Sequence, residues 1–87
     1  MVRVFYSDRL KADVLTLNDK QQAKLARLVV LLRRDPFHPQ LHTKSLSGKL
    51  ADIYSFRVGR DIRILFRFTS SDEIYLIKVG HRKDIYK

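Results

Sequence analysis

Near Ile53 the spacing of the apolar residues changes from helical to strand-like, and this change constrains the fold more than any other feature of the chain. Upstream, Leu10, Val14 and Leu17 recur at helical spacing, and Leu25, Leu28, Val29 and Leu32 repeat the pattern. Such spacing gathers apolar side chains on one helix face. Downstream, Phe56 and Val58 alternate with Ser55 and Arg57, and Ile62, Ile64, Phe66 and Phe68 alternate with Arg63, Leu65, Arg67 and Thr69. A period of two sends successive side chains to opposite faces of a sheet. With 87 residues there is room for one domain, residues 1–87, and none for a Rossmann enzyme or a β/α barrel. The chain therefore reads as a single α+β unit.

Residues 2–6 are rich in β-branched and aromatic side chains and predict an N-terminal strand. A first helix is predicted over 8–17, with Ser7 or Asp8 as its N-cap. A second is predicted over 19–34, opened by Asn18 with Gln21 placed for a capping box. Arg33 and Arg34 suit the negative end of that helix, and Asp35-Pro36 stops it. So short a link at Asn18 predicts an antiparallel helix hairpin. Residues 36–50 form the least regular stretch, with a brief extended piece expected around Lys44-Ser45-Leu46. A loop this long in so small a domain is expected to be functional or docked. Strands are predicted over 53–58, 62–69 and 73–79, with Gly80 ending the last, to give a mainly antiparallel, twisted sheet.

Eighteen Lys and Arg against nine Asp and Glu leave a formal charge of +9. That excess points to a polyanionic partner: nucleic acid, ribosome, anionic membrane or an acidic protein. The absence of cysteine removes disulfides, zinc fingers, iron–sulfur clusters and thiol catalysis. No apolar run is long enough for a membrane span, and residues 1–6 lack the layout of a signal peptide, so a cytoplasmic location is expected.

The alternation also constrains the register between the two central strands. Phe56 and Val58 need the same face as Ile62 and Ile64, which a three-residue turn at Gly59-Arg60-Asp61 provides by pairing Val58 with Ile62. Arg57 then lies opposite Arg63 on the other face, an unfavourable like-charge pair, and Arg67 follows on the same face. Either this is a solvated face carrying basic residues, or it is a guanidinium cluster that holds phosphates. On either reading Arg63 projects away from the core, and its truncation should cost little stability. After Gly80, the tail supplies His81, Arg82 and Tyr86: an imidazole, a fixed cation and a phenol.

These residues resemble the RelE/ParE toxin superfamily over nearly the full chain. The resemblance is carried by Lys44-Ser45-Leu46-Ser47-Gly48, Ile53 to Gly59, Arg63-Ile64-Leu65-Phe66 and Val79 to Tyr86, in that order. It implies the RelE-like microbial ribonuclease fold, and a toxin that cleaves mRNA in the ribosomal A site without a metal or other cofactor. It also implies a cognate acidic antitoxin that holds the toxin inactive. Arg57, Arg63, Arg82 and Tyr86 fall on positions of the family's basic and aromatic site residues, whereas His81 sits where the family varies. Ile62 replaces a usual tyrosine, and Ser55 stands where RelE has a second lysine, so a phosphate contact there must be weaker or come from elsewhere.

Cleavage by attack of a 2′-hydroxyl needs a proton acceptor, stabilisation of the charged phosphorane and a proton donor for the leaving oxygen. Arginine does not give up its proton, so Arg57, Arg63 and Arg82 are cast as electrostatic stabilisers. Proton transfer is assigned to His81 as acid and Tyr86 as base or orienting group, ahead of Lys83 and Asp84. Lys20, Lys24, Arg27, Arg34, Lys44, Lys49, Arg67 and Lys83 are read as the RNA and ribosome footprint. His38 and His42 lie in a proline-flanked loop and read as loop packing or rRNA contacts rather than a metal pair. Two other functions compete: a ParE-like inhibitor of DNA gyrase on the same fold, and an RNA-binding module without chemistry.

Overall fold

The structure, a computed structural model, describes residues 1–46, 48 and 51–85. Strand β1 (Arg3–Tyr6) leads into helices α1 (Asp8–Val14) and α2 (Asp19–Arg34). A 3-10 turn at Pro39–Leu41 follows, then β2 (Lys44–Ser45), β3 (Tyr54–Val58), β4 (Ile62–Ser70) and β5 (Glu73–His81). The five strands form one sheet in the order β1-β5-β4-β3-β2, in which β1 runs parallel to β5 and every other pair is antiparallel. This is the α+β arrangement that the change of period predicts.

Local chemistry sets the element boundaries. The Ser7 hydroxyl accepts from the Leu10 amide at 2.9 Å and donates to the Ile77 carbonyl at 2.6 Å, so one side chain both caps α1 and ties it to β5. Asn18 and Gln21 form the full reciprocal capping box at the start of α2. Helix α1 stops at Val14, three residues earlier than the spacing suggests. The amides of Leu15, Thr16 and Leu17 turn to the carbonyls of Ala12, Asp13 and Val14, a tighter coil that still delivers Leu17 to the core. The Gln22 side chain then closes the link by donating to the Val14 and Leu17 carbonyls, both at 3.0 Å.

The core lies between the helices and one face of the sheet. Leu32, Leu41, Phe56, Ile64, Phe66, Ile74 and Leu76 are completely buried there. Burial of each such side chain is worth about 1.5–3 kcal/mol. Val58 pairs with Ile62 and Arg57 with Arg63, the register that alternation demands. One irregularity serves the core. On β5 the pair Leu65–Lys78 is followed by Phe66–Leu76, leaving Ile77 as the extra residue of a bulge. The bulge returns Leu76 to the core face, and the carbonyl of Ile77 is the one that receives the Ser7 hydroxyl.

Candidate functional site

The same register fixes which side chains occupy the face away from the core. Lys44, Ser55, Leu65 and Lys78 form one row across β2, β3, β4 and β5, and Arg57, Arg63 and Gly80 form the next. Strand β5 does not end at Gly80, as the sequence suggests, but continues to His81. Gly80 has a different task. A Cβ placed there would stand 3.3 Å from Cδ1 of Ile85, so the chain after β5 folds back over this face and seats Ile85 on the glycine. Ile85 and Leu65 are both buried outside the main core cluster. The amides of Asp84 and Ile85 both bond the His81 carbonyl at 2.9 Å, and the Arg82 amide donates to the Asp61 carbonyl at 2.7 Å. This turn pins Arg82 and Lys83 at the rim of a cavity of about 370 Å3. Lys44, Ser55, Arg57 and Arg63 form the rest of its wall, with His42 from the loop before β2.

Arg63 does not stand free of the protein. It is only 9% exposed, because its side chain curls back onto its own turn. Nη1 donates to the carbonyls of Arg60 at 2.9 Å, Ile62 at 3.2 Å and, more weakly, Gly59 at 3.4 Å. This corrects the expectation that truncating Arg63 costs little stability: the guanidinium is part of how the turn is built. Among the described residues its Nε and Nη2 make no hydrogen bond. Arg57, directly across the ladder, is exposed and has no ion pair or hydrogen bond among the described residues. Arg82 is partly neutralised by Asp61, with Nε and Oδ1 3.4 Å apart and both side chains about half exposed. Among the described residues no carboxylate lines the cavity. Cations held this close repel one another, and a bound anion removes the repulsion.

The structure thus brings together Arg57, Arg63, Arg82, Lys44 and Lys83. Lys44 pairs with Ser55 across β2 and β3 and lines the cavity beside it. His81 pairs with Ile62 and so projects from the core-side face, and its Nδ1 accepts from the Lys83 amide at 3.1 Å. It is not among the residues gathered around the arginines. Arg67 shares their face but lies four residues further along β4, about 13 Å at strand spacing, opposite Tyr75. Lys20, Arg27 and Arg34 are simply exposed on α2, whereas Lys24 is half-buried beside the β3–β4 turn. The assignments to Tyr86 and Lys49 fall outside the described residues.

His42, which the sequence reads as loop packing or an rRNA contact, lines the cavity beside the arginines. Its backbone is left-handed (φ 51°, ψ 41°), the only such non-glycine among the described residues. His38 accepts from the Gln40 amide, Leu41 is fully buried and the Thr43 hydroxyl donates to the Pro36 carbonyl at 2.6 Å, so the loop is anchored on either side of His42. No spacing in the sequence announces this, because the position depends on a loop conformation rather than a period.

The chain matches the family described as ParE toxin of type II toxin–antitoxin system, parDE, over residues 4–86. No curated protein matches it. Among solved structures it is similar to the YoeB/ParE toxin from Agrobacterium tumefaciens, at 18% identity and a TM-score of 0.80, over 93% of this chain and 99% of that one. It is similar to YafQ from E. coli at 15% identity and a TM-score of 0.80, over the whole of both chains. It is also similar to the toxin–antitoxin complex RelBE2 from Mycobacterium tuberculosis, at 23% identity and a TM-score of 0.78, over 93% of this chain and 98% of that one. At these identities the likeness is one of fold.

Proposed function

The chain belongs to the ParE toxin family of type II toxin–antitoxin systems, within the RelE/ParE superfamily, and on that premise we propose that it is a metal-independent endoribonuclease acting on ribosome-bound mRNA. The observation that carries this reading is the cavity at Arg57, Arg63 and Arg82, which is walled by cations, has no carboxylate among the described residues that line it and has one guanidinium already fixed by backbone carbonyls. A fixed cation stabilises developing charge without having to reorganise during the reaction. In this reading the 2′-oxygen attacks phosphorus, the bond to the 5′-oxygen breaks, and the products are a 2′,3′-cyclic phosphate and a 5′-hydroxyl. Arg63 and Arg57 hold the phosphate oxygens and Arg82 adds charge from the rim. The 2′-hydroxyl proton goes to Tyr86. His42, the imidazole that lines the cavity, takes the acid role in place of His81 and protonates the leaving oxygen. Lys44 and Lys83 extend the contact along the strand, and the exposed helix-two cations Lys20, Arg27 and Arg34 meet rRNA.

In the cell the domain, spanning 1–87 and residing in the cytoplasm, is held in check by a cognate acidic antitoxin. A formal charge of +9 suits such a partner, and the mycobacterial relative was solved as a toxin–antitoxin complex. The test is purified protein in a reconstituted translation system, with mRNA cleavage mapped with and without ribosomes. Cuts in ribosome-bound message, lost in Arg63→Ala, support the proposal. A second reading, inhibition of DNA gyrase, is favoured by the ParE description of the matching family. Intact message together with blocked gyrase supercoiling would put that reading in its place.

A further inference from the structure

We propose that the cleft binds two consecutive phosphates of one polynucleotide strand, the second in a separate subsite formed by Lys24, Gln40 and Arg60. This rests on the polynucleotide reading above and extends it. A second cavity, of about 360 Å3, adjoins the first and shares His42 and Arg57 with it. Its remaining wall comes from α2 (Lys24), the 3-10 turn (Gln40) and the β3–β4 turn (Gly59 and Arg60). Among the described residues neither cavity is lined by an Asp or Glu, in a chain that has nine.

Three features mark the second cavity as built for an anion. Lys24 is half-buried, unlike Lys20, Arg27 and Arg34 on the same helix, and its Nζ lies 3.8 Å from where a Cβ of Gly59 would stand. Its stem lies along the protein and its head reaches the β3–β4 turn, where among the described residues no Asp or Glu lines the cavity to neutralise it. Gly59 turns at φ 82°, so the turn that offers its carbonyls to Arg63 in the first cavity also carries Arg60 into the second. His42 stands where the cavities meet, held left-handed by the anchored loop. An unusual backbone that the surroundings hold in place is a mark of functional positions. Two adjoining cationic cavities that share Arg57 suit a ligand with phosphates one nucleotide apart. A lone phosphate would leave one cavity unfilled.

The probes are 2′-O-methyl oligomers, which lack the attacking hydroxyl: a dinucleoside monophosphate with one phosphate and a trinucleoside diphosphate with two. Affinities are measured by calorimetry at several salt concentrations. The two-phosphate probe should bind the intact protein roughly tenfold more tightly, the scale of one charge-assisted contact. Its salt slope should be steeper by about 0.7, the single-strand value for one phosphate. The double variant Lys24→Gln/Arg60→Gln should erase both differences, whereas Arg63→Gln should weaken both probes. Thermal melting of the double variant should match that of the parent, since Arg60 is exposed and Lys24 makes no hydrogen bond among the described residues. A double variant that keeps the full two-phosphate advantage overturns the second subsite and leaves the first intact. Failure of the parent to bind either probe overturns both readings. Inorganic pyrophosphate that displaces the two-phosphate probe at equal concentration makes the ligand a free diphosphate and overturns the strand assignment.

Discussion

The two faces of this sheet are built from the same three strands by the same alternation, yet they are filled by opposite chemistry. On one face Phe56, Ile64, Phe66 and Leu76 are completely buried against the helices. On the other, Arg57 faces Arg63 across the ladder, and Leu65 and Ile85 make only a small apolar patch under the chain's last turn. The first face supplies stability, and the second spends some of it. A like-charge pair across a ladder opposes folding, and it stands here because the carbonyls of the adjoining turn hold Arg63 in place. A small domain has little stability to spare, so such a concession marks the face on which something other than folding is decided.

The most direct way to test the contrast is to damage the apolar face. Phe56→Ala removes a fully buried ring that packs against Phe66, with centroids 5.8 Å apart. Such truncations cost about 3–5 kcal/mol, much of what a domain this small commonly has. Urea unfolding should show a protein largely unfolded at 37 °C, and activity should vanish with the fold. Arg63→Ala is the next largest. Loss of the bonds to the turn carbonyls should lower stability by about 1–3 kcal/mol. Ribosome-dependent cleavage should fall ~100-fold or more in molecules that remain folded, because the fixed charge at the phosphate is gone. A variant as stable as the parent would show that the carbonyl contacts contribute nothing to the turn.

The difference between the faces also explains what the sequence could disclose. The apolar face is periodic, and periodicity alone gave the helix spacing, the strand pairing and the opposition of Arg57 to Arg63. The cationic face depends on turns. Nothing in the spacing shows that Arg63 curls back onto Arg60, that Ile85 folds over Gly80, or that a left-handed His42 lines the cavity. His81 illustrates the limit most clearly. It is adjacent to Arg82 in sequence, but its pairing with Ile62 sends it to the core-side face, while Arg82 has already left the strand. Proximity along a chain that is leaving a strand says little about shared direction.

A smaller effect is expected where the two regions are joined. Ser7 both caps α1 and donates to the bulge carbonyl of Ile77. Ser7→Ala should cost about 1 kcal/mol, the usual worth of such a cap. Hydrogen exchange should show the loss first at the amides of α1, with Arg63 and its turn unaffected. If protection falls equally around Gly59 and Arg60, the two regions are coupled more tightly than the division into faces allows.

The smallest effect on stability, and the one that separates the faces most sharply, belongs to Arg57→Ala. Arg57 is exposed and makes no bond among the described residues, so its truncation leaves no cavity and breaks no contact. What it removes is repulsion from Arg63 directly opposite, together with that from Lys24 and Arg60 around the second cavity. Relief of one cross-strand like-charge pair is worth about 0.2–1 kcal/mol, and its sign favours the variant. The gain should be largest at low ionic strength. It should shrink as salt rises, because at 0.1 M the screening length is about 10 Å and the parent no longer feels the full repulsion. Cleavage should move the opposite way, falling as it does in Arg63→Ala, since Arg57 contributes to both phosphate sites in this reading. The two arginines then lose activity together while their stabilities diverge, one down and one slightly up. Should Arg57→Ala instead melt well below the parent at every salt concentration, Arg57 would be part of the framework, and the division into a stabilising face and a working face would fail at its centre.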